Sequence, residues 1–209
     1  MVYKNLLNRV FFSLFFFGIY FTILVDKYLL FIAGTLIYIL VFIEILKYFK
    51  NFFFKLTLFY LSLSYFCFTF YFLIYFDFIK FNLFVLTIIF FDSFSYFSGK
   101  IFGKNYVFKY LSPKKTLEGY LGGIFFTNII LILLFNFIYL KITIIELIIL
   151  TNLTIFFSVI GDLIESFFKR KNNIKDSSKY LPGHGGFFDR FDSFIASIIM
   201  LTFINSLYL

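Results

Sequence analysis

Charge is scarce in this chain. Of 209 residues only 14% are Asp, Glu, Lys or Arg, against roughly 25% in an average soluble protein. Cysteine occurs once, at Cys67, so no internal disulfide forms and the redox compartment stays open. Histidine also occurs once and proline twice. One histidine and one cysteine make no zinc cluster and no defensible Ser-His-Asp arrangement. No GxxxxGK[ST] phosphate loop is present. The chain is instead filled with apolar residues: 62% are hydrophobic, 40 of them Phe, and the mean hydropathy is +0.96. A water-soluble globule cannot cover that much apolar surface. Intrinsic disorder needs the opposite composition. An integral membrane protein remains. Phe, Ile, Lys, Asn and Tyr share A/T-rich codons, so the Phe excess is read, as a hypothesis, as lipid-facing or packing filler.

A hydrocarbon core of about 30 Å takes about 20 helical residues to cross. The apolar runs are long and continuous, which favours helices over a barrel. The expected fold is therefore all-α: a polytopic transmembrane bundle of about seven helices, near 10–25, 28–46, 56–76, 81–98, 120–140, 142–168 and 188–208. The first run lacks a small-residue cleavage site and reads as a retained helix. With seven spans, 16 of the 19 basic residues fall on one side; only Lys27, Lys80 and Lys141 fall on the other. Positive-inside sorting produces such a split. The N-terminus and the two long loops are thus expected in the cytoplasm. The net charge of +8 then reflects topology, and no nucleic-acid partner is implied.

The residues that hydrophobic filler does not supply gather on that same side. Pro113, Pro182 and His184 lie in the two long loops, and nine of eleven glycines lie in or beside them. Asp162, Glu165, Ser166 and Lys169 are spaced to share one helical face, and so are Asp189 and Asp192. Asp92 lies six residues inside the expected end of its helix, about 9 Å deep. An intramembrane Asp costs about 2.5–3.5 kcal/mol on insertion scales, so it is paired, metal-bound or facing a polar cavity. Carboxylates suit Mg²⁺, and basic side chains suit the remaining phosphate charge. Phosphoryl or nucleotidyl transfer needs little beyond these two.

At these residues a resemblance enters. The segment Ser166-Phe-Phe-Lys169-Arg170, then Lys175-Asp176, then Leu181-Pro182-Gly183-His184-Gly185-Gly186-Phe-Phe-Asp189-Arg190-Phe-Asp192 resembles the signature of phosphatidate cytidylyltransferases, with no departure at its fixed positions. Two upstream stretches also resemble family segments. One is Ser112-Pro113-Lys114-Lys115-Thr116-Leu117-Glu118-Gly119; the other is Asp92-Ser-Phe-Ser-Tyr96 with Gly99 and Gly103-Lys104. The resemblance divides the chain into N-terminal transmembrane helices, 1–80, and a C-terminal transmembrane catalytic region, 81–209. It implies that CTP and phosphatidic acid react to give CDP-diacylglycerol and pyrophosphate. It implies a metal centre of Asp162, Asp189 and Asp192 holding Mg²⁺, with room for a monovalent cation such as K⁺. Lys169 and Arg190 join these aspartates as catalytic residues. Substrate binding falls to Lys114, Lys115, Thr116, Ser166, Arg170, Lys175, His184, Gly185 and Gly186, with the two glycines offering backbone N–H groups to phosphate. A multi-pass protein of a bacterial-type inner membrane, with a cytoplasmic site and scope for a homodimer, is the corresponding expectation.

Plainer readings stand beside these. Lys171 reads as topogenic, and Glu44 and Glu146 as helix-end residues. Asn128, Asn136 and Asn152 read as interhelical hydrogen-bonding groups. A related CTP-dependent enzyme acting on a polyprenol or ether lipid stays open. A non-catalytic transporter predicts acids spread through the membrane depth and is disfavoured by their crowding on one face.

Overall fold

Hydrophobic runs this long fold as helices wherever the backbone must satisfy itself away from water. The computed structural model describes residues 26–207 except 51, 52, 109, 114, 138–141, 179 and 182–184, and omits the side chains of 136 and 137. Six long helices stand in that part: α1 (Lys27–Tyr48), α2 (Phe54–Phe70), α3 (Phe78–Phe102), α4 (Leu117–Phe137), α5 (Ile144–Lys171) and α6 (Phe188–Leu207). A π-helical turn, Tyr71–Tyr75, extends α2. Among the described residues there is no strand, only the isolated bridges Tyr106–Thr116 and Leu181–Gly185. The run expected at 10–25 lies outside the described residues. All six helices are long and apolar enough to cross a membrane, so the chain is a multi-pass membrane protein.

Local sequence explains the helix ends. Asp26 caps α1 by accepting from Tyr28 N at 2.8 Å. Asp77 caps α3 by accepting from Ile79 N and Lys80 N. Thr143 and Glu146 form a reciprocal capping box at the start of α5, which is the helix-end role expected for Glu146. α3 runs one turn past its expected end, to Phe102. Asp92 therefore lies about 15 Å from that end at 1.5 Å per residue, deeper than the sequence suggested.

The helices cover one another only in part. Between 22% and 44% of each apolar window is buried, and Leu36, Phe59, Phe66, Phe125 and Phe203 point outward. Lipid accommodates such faces where water does not. The inward Phe residues fill the core: Phe68 lies against Phe31, Tyr38, Phe72 and Phe194. The aromatic excess is thus divided between packing and outward faces. α3 packs most extensively on α4, and α5 on α6. Ser95, Ser98 and Gly99 face Gly119, Gly122 and Gly123 across the first seam, small residues that let backbones approach. Asn128 and Asn152 exchange side-chain hydrogen bonds between α4 and α5 at 3.3 and 3.1 Å, the interhelical role the sequence suggested.

Candidate active site

Two ion clusters form where α3, α5 and α6 meet the long loops. The first centres on Lys115, just before α4. Its Nζ donates to Asp162 Oδ2 on α5. Asp92 on α3 and Asp192 on α6 lie within electrostatic reach of both. Burial disfavours the Lys115 ammonium, but the Asp162 carboxylate outweighs it and holds the lysine above its ordinary value. The lysine is therefore a fixed positive charge. Asp92 is accessible, and Lys115, Asp162 and Arg190 all act on it. Asp192 is buried and accepts from Ser193 N at 2.8 Å.

Gly161 explains how Asp162 and Asp192 come together. A Cβ there would stand 2.4 Å from the Asp192 carbonyl oxygen and 2.7 Å from Ala196 Cβ. Only glycine lets α5 approach α6 this closely at the level of the acids.

The second cluster centres on Lys169. Its Nζ stands 2.7 Å from Glu165 Oε1, one turn back on α5, and 2.9 Å from Asp189 Oδ1 on α6. Asp189 Oδ2 also accepts from Ser177 N at 3.0 Å and Gly186 N at 2.8 Å. Both carboxylates are nearly closed to solvent, with side-chain exposures of 2% for Glu165 and 11% for Asp189. Gly185 adopts φ +82°, a left-handed conformation that glycine adopts without strain. A Cβ on it would meet Asp189 Oδ2 at 2.3 Å.

The expected site residues have the following surroundings. Among the described residues, no three His, Cys, Asp or Glu side chains group closely enough to hold a metal ion. Asp189 turns to Lys169 and two loop amides, while Asp162 turns to Lys115. The Gly186 N–H bonds Asp189 rather than pointing to open space. Thr116 is buried and accepts from Gly119 N at 3.2 Å, so it caps α4. Ser166 is buried on α5, and Lys175 is exposed in the loop after it. Arg190 is exposed at the start of α6. Lys114 and His184 lie outside the described residues. Arg170 and Lys171 border a cavity of about 470 Å³ with Val107, Phe108, Tyr110, Leu111 and Phe167. Lys171 lies 5.4 Å from the Phe53 ring and 5.5 Å from that of Phe167.

Sequence reasoning missed Glu44. It is fully buried on α1 and accepts from Ser177 Oγ and Phe188 N. An acid three residues before Lys47 reads as a helix-end residue, because no local spacing shows what it faces across 133 positions. The one usable signal was the cost of placing a carboxylate inside a membrane helix.

A model of the cytidylyltransferase family matches residues 1–208. The chain belongs to the cytidylyltransferase family. Among its relatives is a phosphatidate cytidylyltransferase of Staphylococcus haemolyticus (strain JCSC1435), 36% identical over 129 residues, which are 61% of this chain and 50% of that protein. Another, from Staphylococcus saprophyticus, is 37% identical over 123 residues, 58% of this chain and 47% of the relative. A third, from Staphylococcus aureus (strain COL), is 39% identical over 113 residues, 54% and 44% of the two chains. The chain spans about half the length of the curated relatives it matches.

Proposed function

We propose that the protein transfers a cytidylyl group from CTP to phosphatidic acid, giving CDP-diacylglycerol and pyrophosphate. The observation that carries this reading is the convergence of Lys115, Asp162, Asp192 and Asp92 beside the Lys169–Asp189 pair, in a cytidylyltransferase whose relatives are named phosphatidate cytidylyltransferases. A cytoplasmic site, where CTP is available, is part of this reading, and the 16-to-3 distribution of basic residues supports that side for the long loops.

A phosphate oxygen of the lipid attacks the α-phosphorus of CTP. The bond from that phosphorus to the bridging oxygen breaks, and pyrophosphate leaves with the electron pair. No proton transfer is required when the lipid phosphate is ionised. Lys115 and Lys169 supply fixed positive charge for the phosphate oxygens as negative charge redistributes. Arg170, Lys175, Arg190 and His184 are substrate contacts in this reading. Lys114 joins Lys115 on the nucleotide side.

The hard carboxylate oxygens of Asp162 and Asp192 suit Mg²⁺, with K⁺ as an optional second ion. Mg²⁺ ordinarily takes one or two carboxylates and completes its shell with water and substrate phosphates. Neighbouring aspartates therefore fit an ion that arrives with CTP. Bound there, it would act as a Lewis acid on the triphosphate oxygens.

Purified protein in lipid nanodiscs, given CTP, Mg²⁺ and phosphatidic acid, should release pyrophosphate and form a CDP-lipid. No product where a control enzyme works would overturn the reading. Polyprenyl phosphates and ether-linked phosphatidic acid, added as competitors, fix the lipid class.

A further inference from the structure

A carboxylate inside a membrane helix is tolerated only where partners replace water. Glu44 sits four residues from the end of α1 and is fully buried. Both of its oxygens are engaged by the far end of the chain. Oε1 accepts from Ser177 Oγ at 2.9 Å, and Oε2 accepts from Phe188 N at 2.9 Å. Phe188 opens α6, so its N–H has no partner within the helix and Glu44 caps it from another element.

The two groups held by Glu44 flank Asp189 on both sides. Ser177 N donates to Asp189, and Phe188 directly precedes it. Gly186 N donates to Asp189 as well. Gly186 passes so close to Glu44 that a Cβ there would stand 1.6 Å from Oε1 and 2.2 Å from Ser177 Oγ. The buried aromatic pair Phe49–Phe188, with centroids 6.1 Å apart, adds a second contact between the end of α1 and the start of α6. Glu44, Ser177, Gly186 and Asp189 thus form one continuous chain of contacts. It runs from α1 to the Lys169 ion cluster.

We infer that Glu44 is a positioning residue: it holds Ser177, Gly186 and the first turn of α6 in place, and thereby holds Asp189 against Lys169. Its effect on turnover rests on the proposed cytidylyl transfer; its effect on the loop does not.

The test uses the full chain in lipid nanodiscs with two readouts, steady-state kinetics and amide hydrogen exchange. Glu44→Ala removes two hydrogen bonds to a buried carboxylate and should lower kcat about tenfold or more, with KM for CTP within about twofold. Glu44→Gln keeps an acceptor for Phe188 N–H and offers its amide to Ser177 Oγ, so kcat should return to within about threefold of wild type. Ser177→Ala should add no further loss in the Glu44→Ala background, because both act through one contact. In Glu44→Ala, exchange should quicken about tenfold across 177–189 and stay unchanged along α5.

Unchanged exchange overturns the inference. So does quickened exchange along every helix, which marks a global structural role, and so does full kcat despite a loosened loop. If Glu44→Ala does not fold, Ser177→Ala alone carries the same two readouts with the same overturning results. If the wild-type protein shows no transfer, the proposed function fails, and the exchange pattern by itself decides whether Glu44 holds the loop.

Discussion

Lys169 and Asp189 stand on different helices, 20 residues apart in sequence, with Nζ 2.9 Å from Oδ1. The same ammonium also holds Glu165 at 2.7 Å. One cation thus serves two acids in a space nearly closed to solvent. Its attraction is strong there, and so is the penalty for losing it.

Lys169→Met should therefore destabilise the fold by about 3–5 kcal/mol, the range for removing one partner of a buried pair. It should also reduce transfer at least a hundredfold. Thermal unfolding can be followed through the single thiol, Cys67, which is half-buried on α2. Lys169→Met/Glu165→Gln should regain much of the lost midpoint, because one of two facing charges is gone, yet regain no activity. Recovery of activity in the double variant would show that the ammonium is not needed for chemistry.

Lys115 gives the pH prediction. Asp162 holds it above the ordinary lysine value of 10.5. A group whose folded value is raised contributes its stabilisation in full below the unfolded value, and loses it as pH rises through the folded value. Without CTP or added Mg²⁺, the gap in unfolding midpoint between wild type and Lys115→Met should stay constant from pH 7 to about 10 and narrow only above that. A gap that closes between pH 7 and 9 would mean the lysine titrates at ordinary pH and is not paired as described.

The spans were legible because hydropathy is a property of each run by itself, and the helices at 27–48, 78–102 and 188–207 stand where the apolar runs lie. The partners of the charged residues were not legible. Spacing shows that Asp162 and Lys169 share a face of α5, but not what that face meets. In the structure Asp162 meets Lys115 and Lys169 meets Asp189, so one stripe serves two clusters. Gly186 shows the same limit. The resemblance implies that its N–H approaches phosphate; in the structure that N–H bonds Asp189, and its missing side chain makes room for Glu44. Contacts made over more than 100 residues leave no local pattern.

With the proposed Mg²⁺ at Asp162 and Asp192, the division of acids between clusters predicts two different responses. Asp192 lies with Asp162 in the Lys115 cluster, and Asp189 is bonded to Lys169 and two amides. Asp192→Asn should raise the Mg²⁺ concentration for half-maximal transfer about tenfold or more, whereas Asp189→Asn should lower kcat with little change in that concentration. Titration of rate against Mg²⁺ at saturating CTP checks both. Equal shifts for the two variants would place all three aspartates on the ion and overturn the separation.

Gly161 tests whether helix spacing sets the site. Its α-carbon lies where α5 crosses α6, and a methyl group there would meet backbone at Asp192, which cannot rotate away. The helices must part by several tenths of an ångström or the crossing must shift. Overpacking of this kind costs about 1–3 kcal/mol, so Gly161→Ala should lower the unfolding midpoint modestly. The effect on transfer should be larger than that loss suggests, because the crossing also fixes Asp162 relative to Asp192, and a displacement of about 1 Å in a reacting geometry costs about a hundredfold in rate. Gly34→Ala supplies the control. Its added methyl would press on the Phe68 ring, a comparable overpacking in the α1–α2 core, remote from the acids. Matched midpoints with a much slower Gly161→Ala enzyme would tie the crossing to the chemistry. Equal turnover in the two variants would show that the acids tolerate the displacement and that the close approach serves packing alone.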